Sequence, residues 1–125
     1  MNKNILVVED DELSQYVIVA MCNELGYQCM IASNGEQAIE VVTANGGEIG
    51  IVLMDIHMPI LSGLDATTSI RNCPDDPPKN IPIIATTADV QWHPPERCYS
   101  HGFTSVLPKP IDFSRLTETL HQYAN

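Results

Sequence analysis

The chain has 125 residues and a mass of 13.8 kDa, the size of one ordinary domain, and at 44% hydrophobic it is no disordered tail. Six bases against sixteen acids leave a formal charge of −10, which argues against nucleic acid or anionic lipid as a direct partner. No apolar run approaches the roughly 20 residues that span a bilayer, and no basic-then-apolar leader opens the chain, so a cytoplasmic location is expected.

Ile5-Leu6-Val7-Val8 is apolar without alternation, the pattern of a strand buried on both faces. Four acids follow it directly: Glu9, Asp10, Asp11 and Glu12. Leu13, Val17, Met21 and Leu25 recur every four residues and predict a helix with that stripe in the core, stopped by Gly26. Cys29-Met30-Ile31 predicts a short strand suited to a sheet edge. Ser33-Asn34-Gly35-Glu36 reads as a capping box before Ala38, Val41 and Val42, with Gly46-Gly47 as the stop. Ile51-Val52-Leu53-Met54 predicts a third buried strand with Asp55 just after it. Ser62-Gly63-Leu64-Asp65 starts a helix that runs to about Arg71.

Pro74, Pro77 and Pro78 make the next stretch a loop. Ile81-Pro82-Ile83-Ile84-Ala85 predicts the fourth strand, followed by Thr86 and Thr87. Pro94 and Pro95 suit a first helical turn and not an interior, so the fourth helix is expected to start there, after an irregular loop. Trp92 in that loop is a candidate surface anchor for a partner, the alternative being that it packs over the loop. Ser105-Val106-Leu107 predicts a short last strand, and Lys109 follows between Pro108 and Pro110. Asp112 can cap a last helix with Phe113, Leu116, Leu120 and Tyr123 on one face. The cysteines, Cys22, Cys29, Cys73 and Cys98, form no CxxC pair and read as reduced thiols. His93, His101 and His121 read as surface residues.

Five strand–helix alternations predict an α/β doubly wound fold with a parallel sheet and helices on both faces. Ligands of such folds bind at the carboxyl ends of the strands. There the chain gathers three or four carboxylates, a hydroxyl and one ammonium. Clustered carboxylates resist joint ionisation unless a cation offsets them, and an all-oxygen donor set suits Mg²⁺, with Mn²⁺ as its substitute. A lysine cannot join such a metal shell but can pair with a phosphoryl group or a carboxylate, and a hydroxyl can donate to a phosphoryl oxygen. This is equipment for phosphoryl transfer, with a carboxylate as the available nucleophile.

Val7-Val8-Glu9-Asp10-Asp11, Met54-Asp55-Ile56-His57-Met58-Pro59, Ser62-Gly63, Thr87-Ala88 and Lys109-Pro110 resemble, in order and spacing, the CheY-like receiver domain of response regulators. The resemblance covers essentially the whole chain. It implies a single domain over residues 1–125 with the flavodoxin-like sheet order 2-1-3-4-5 and five helices. It implies Asp55 as phosphoacceptor, and Glu9, Asp10, Asp55 and the His57 carbonyl as Mg²⁺ ligands. Lys109 would pair with Asp55 and then with the phosphoryl oxygens, Thr87 would swing to bond the phosphoryl group, and the Lys109–Pro110 bond would be cis. Side chains at His57 and Asp89 would set the lifetime of the acyl phosphate. The motifs look most like receivers of hybrid sensor kinases and phosphorelays. The partners implied are a histidine kinase and a helical histidine phosphotransfer protein, docking around Leu13, Ser14 and Val17. Such a domain phosphorylates and dephosphorylates only itself, makes no direct membrane contact and exists as a monomer or weak dimer. One departure is Val106, where the family often has an aromatic that moves inward, so the output would rest on Thr87 and the loop after it. Three rivals remain: a pseudo-receiver that takes no phosphate, a small Mg²⁺-dependent phosphatase, and a flavin-binding protein. The acids after the first strand do not fit the phosphatase pattern, and an acidic rim would repel a flavin phosphate.

Overall fold

Asn4–Val8 (β1), Cys29–Ala32 (β2), Ile49–Asp55 (β3), Ile83–Thr87 (β4) and Ser105–Pro108 (β5) form one parallel sheet in the order β2-β1-β3-β4-β5, in a computed structural model that describes residues 3–124. Five helices alternate with them: Glu12–Glu24 (α1), Gly35–Asn45 (α2), Gly63–Arg71 (α3), Pro95–Ser100 (α4) and Phe113–Tyr123 (α5). The period-2 geometry of a strand splits each apolar run between two cores. Leu6, Val8, Val52, Met54, Ile83, Ala85 and Val106 face α2, α3 and α4. Ile5, Val7, Ile51, Leu53, Ile84 and Leu107 face α1 and α5. This is why the central strands show no polar alternation: both faces are covered.

Side-chain caps start most helices. Asp11, Asn34, Ser62 and Asp112 each accept a backbone N–H from the third residue on. The expected box at Ser33–Glu36 is displaced by one residue: Asn34 caps Gln37, and the Gln37 side chain accepts the N–H of Ser33. The expected core stripe of α1 is also displaced. Ile18 and Cys22 are the buried pair, Met21 and Leu25 pack at the margin, and Leu13 and Val17 are exposed. One helical step is about 100°, so a stripe assigned one residue off points along the surface. Phe113 is likewise exposed at the first position of α5, while Leu116 and Leu120 are buried. The fourth strand begins two residues later than expected, so Thr86 and Thr87 end it rather than follow it.

α4 does start at Pro95, but the segment before it is not irregular: Val90–Trp92 forms a 3-10 turn capped by Asp89. That turn overturns the placing of Trp92 as a surface anchor. The indole is 6% exposed and packs in the α2–α3–α4 core. The Arg97 guanidinium lies 4.0 Å over its ring, and the His101 ring meets it edge-on. The Lys109–Pro110 bond is cis, as are Asp76–Pro77 and Pro77–Pro78. All four cysteines are free thiols. At the amino end of the sheet, Gly50 bulges out of the β1–β3 register. A Cβ there would stand 2.6 Å from the Ala124 carbonyl oxygen and 3.1 Å from Lys3 Cβ. Among the described residues no helix is long and apolar enough to cross a membrane.

Candidate functional site

The carboxyl ends of β1, β3, β4 and β5 bring Glu9, Asp10, Asp55, Thr87 and Lys109 to one rim. β1 runs into Glu9, and β3 ends on Asp55, which lies opposite Thr86 of β4. The Lys109 N–H donates to the Thr87 carbonyl at 2.8 Å and fixes the exit of β5 beside β4. Glu9, Asp10 and Asp55 each offer a carboxylate oxygen within 4.8 Å of the others. Glu9 is 1% exposed and Asp55 7%, whereas Asp10 faces solvent. The Lys109 ammonium donates to Glu9 Oε1 and stands 3.4 Å from Asp55 Oδ2.

One ammonium cannot balance three clustered carboxylates. Burial, then a hydrogen bond to Glu9, push the Asp55 carboxyl up to about 7. Burial would raise Glu9 as well. Its hydrogen bonds with Asp55 and Lys109 outweigh that and hold it below the usual carboxylate range. Burial would lower Lys109, but Glu9 and Asp55 hold it above its ordinary value. Burial and the neighbouring Glu9 thus oppose ionisation of Asp55, and a second cationic charge would favour it. An all-oxygen set, partly buried and in charge deficit, fits a hard divalent cation.

Local sequence explains the placement. A Cβ at Gly63 would overlap the Asp55 carbonyl oxygen, and the Gly63 N–H donates to the Ile56 carbonyl at 2.9 Å. Only glycine lets α3 begin against the end of β3. The loop between them carries an exposed Ile60 at φ +70, with Leu61 N–H donating to the Pro59 carbonyl at 2.8 Å. That is a γ-turn around a β-branched residue in the left-handed region, a costly local conformation.

His57 and Asp89 meet across the rim, Nε2 to Oδ2 at 3.0 Å, and tie the loop after β3 to the loop after β4. The Gln91 N–H and then His57 hold the Asp89 carboxyl below its ordinary range. Thr87 is buried, and its hydroxyl accepts the Asp89 N–H at 3.0 Å. Two positioning residues carry no signal in the sequence. The His93 ring lies 3.0 Å from the Thr87 carbonyl rather than free on the surface, and the Gln15 amide donates to the Glu9 carbonyl. Neither belongs to a motif, because each reaches a backbone carbonyl that any residue would present. Beside Lys109, an apolar cavity of about 360 Å³ is lined by Leu13, Ser14, Val17, Ala88, Pro110 and Ile111. Trp92 does not reach it and lies instead on the far core, with Val106.

Residues 5–121 match the response regulator receiver domain, and the chain belongs to that family. It is 34% identical over 95% of its length to Histidine kinase 5 of Arabidopsis thaliana, of which it spans 15%. The receiver domain of the sensor histidine kinase PA1611 from Pseudomonas aeruginosa, solved with a magnesium ion in its active-site cleft, is 33% identical. It superposes with a TM-score of 0.84, covering 99% of this chain and 98% of that one. The Ssk1 receiver of Saccharomyces cerevisiae, solved with the histidine phosphotransfer protein Ypd1, shares the fold at TM-score 0.83 and 22% identity. That match covers 98% of this chain and 89% of the other.

Proposed function

We propose that this chain, as one receiver unit, takes a phosphoryl group from a phosphohistidine onto Asp55 and relays it or signals with it. The observation that carries the reading is the rim itself: a buried carboxylate pushed up to about 7 beside Glu9, Asp10 and Lys109. In the transfer an Asp55 oxygen bonds to phosphorus, the phosphorus–nitrogen bond to the donor imidazole breaks, and the imidazole leaves with that electron pair. Glu9, Asp10, Asp55 and the His57 carbonyl would hold Mg²⁺, or Mn²⁺ in its place, which when bound neutralises charge between acceptor and phosphoryl oxygens. Lys109, already 3.4 Å from Asp55, then pairs with a phosphoryl oxygen. The Thr87 hydroxyl donates to another. His57 and Asp89, paired at 3.0 Å between the loops after β3 and β4, are the residues proposed to govern how readily water reaches the acyl phosphate.

The donor is a histidine kinase or a histidine phosphotransfer protein. It docks on the apolar cavity around Leu13, Ser14 and Val17, which opens beside Lys109. Leu13 and Val17 are both exposed and both line that cavity, so the apolar surface there is continuous rather than a single residue. The relatedness to hybrid-kinase receivers favours a place in a phosphorelay, in the cytoplasm, with no turnover on an external substrate. The test is intact mass after incubation with Mg²⁺ and phosphoramidate. One phosphoryl group should add to the wild type, be lost in hydroxylamine, and be absent from Asp55→Ala and from wild type with chelator. A folded wild type that gains no mass would leave an interaction module that takes no phosphate.

A further inference from the structure

The edge strand β2 begins on Cys29, which lies opposite Ile5 of β1 and shares with it the face turned to α1 and α5. α1 reaches that face through its two buried residues, Ile18 and Cys22. The chain then reverses at once. The Cys22 carbonyl accepts the Leu25 and Tyr27 N–H groups at 3.1 and 3.0 Å, and Gly26 takes φ +88. Cys22 and Cys29 thus enter one core from adjoining elements, and their thiols hydrogen-bond each other.

The pair is unequal. Cys22 is fully buried, whereas Cys29 is half-buried at the edge of the sheet. The bond to Cys29, and then burial, push the Cys22 thiol up, so it stays protonated and donates. Accepting that bond holds the Cys29 thiol below its ordinary value, against the burial that opposes this. The thiol that ionises more readily is therefore the one that solvent reaches. Cys73 and Cys98 are placed otherwise: their thiols donate to the backbone carbonyls of Ser69 and Trp92.

We infer that Cys29 and Cys22 form a peroxide-oxidised dithiol site, with Cys29 as the nucleophile and Cys22 as the resolving thiol. The Cys29 thiolate attacks one oxygen of hydrogen peroxide, the O–O bond breaks, and hydroxide leaves with the electron pair. Cys29 is then a sulfenic acid. The Cys22 sulfur displaces hydroxide from it, and the S–S bond forms. The protons of the two thiols convert the two hydroxides to water, so one peroxide is reduced as the pair is oxidised. The bridge ties the end of α1 to the start of β2, at the opposite end of the sheet from the Asp55 rim. This chemistry is independent of the phosphoacceptor reading.

The native chain is treated with hydrogen peroxide, quenched with catalase, and denatured in excess N-ethylmaleimide. Untreated protein should take four maleimides, one per free cysteine. Treated protein should lose two of them, with a mass loss of two hydrogens. Glu24 separates the two cysteines in sequence, so cleavage after glutamate should leave peptides Leu13–Glu24 and Leu25–Glu36 joined until dithiothreitol is added. Cys22→Ala should stop at a Cys29 sulfenic acid, captured by dimedone. A wild type that keeps four maleimides, or whose bridge involves Cys73 or Cys98, overturns the site. Sulfenic acid that accumulates on wild-type Cys29 without a bridge overturns the role of Cys22. Oxidation of Cys22 in Cys29→Ala as fast as in wild type overturns the order of attack.

Discussion

A carboxyl group that keeps its proton to about pH 7 weakens the fold as it is titrated. In the unfolded chain Asp55 ionises at the ordinary carboxylate value of 3.8, so between there and about 7 the folded state holds a proton that the unfolded state has lost. Stability falls through that window and the loss is complete above it. Asp55→Asn has no proton to lose. Denaturant titrations should show it about 1–3 kcal/mol more stable than wild type at pH 8, with the difference closing by pH 4. Ile60 makes the opposite kind of point. Its left-handed backbone costs about 1–2 kcal/mol, part of which glycine would forfeit again in chain entropy. Ile60→Gly should therefore raise the urea midpoint by the equivalent of about 0.5–1 kcal/mol. Residue types spoke clearly where chemistry demanded them: acids after β1, Asp55 and Lys109 form a set whose members make sense only together. They were silent on Ile60, His93 and Gln15, whose importance is a backbone angle or a bond to a carbonyl.

Arg71 shows how an element is held by its last residue. Its guanidinium donates to the carbonyls of Gly102, Lys79 and Ile81 at 2.8, 2.9 and 2.7 Å, and lies 3.4 Å from the Thr104 hydroxyl. One planar fork so fastens α3 to the loop before β4 and to the turn after α4. A lysine ammonium cannot span these positions. Arg71→Lys should cost about 1–3 kcal/mol, read as a lower urea midpoint at unchanged slope. From sequence Arg71 was only the end of a helical pattern. The elements themselves were more legible than their edges. Caps and prolines located each helix to within a residue or two, yet the box at Ser33 slid to Asn34, because asparagine and serine cap equally well and geometry chose. The stripe of α1 failed for another reason. Leu13 and Val17 keep the helical spacing of a core face but lie beside the cavity at Lys109, so periodicity alone could not say which way they pointed. Trp92 was misplaced because a proline-rich loop suggested exposure, and the 3-10 turn that buries it has no sequence mark beyond the Asp89 cap.

At the scale of the whole molecule the parallel sheet was readable because burial on both faces leaves no polar alternation, whereas the order of its strands came only with the resemblance to the receiver family. The same architecture concentrates uncompensated charge at one rim of a chain that already carries −10. A cation that binds only the folded rim stabilises it by mass action, about 1.4 kcal/mol at ten times its dissociation constant. Thermal unfolding at pH 8 should shift upward with Mg²⁺ in wild type and much less in Asp10→Asn, and chelator should reverse the shift. Gly50 offers a last consequence. The close approach of Lys3 and Ala124 there puts the first and last described residues side by side, some 16 Å along β3 from Asp55. Cargo spliced onto either end hangs beneath the sheet with the rim left clear. Joining Lys3 and Ala124 through a short linker should therefore leave the geometry and charge of the rim unchanged.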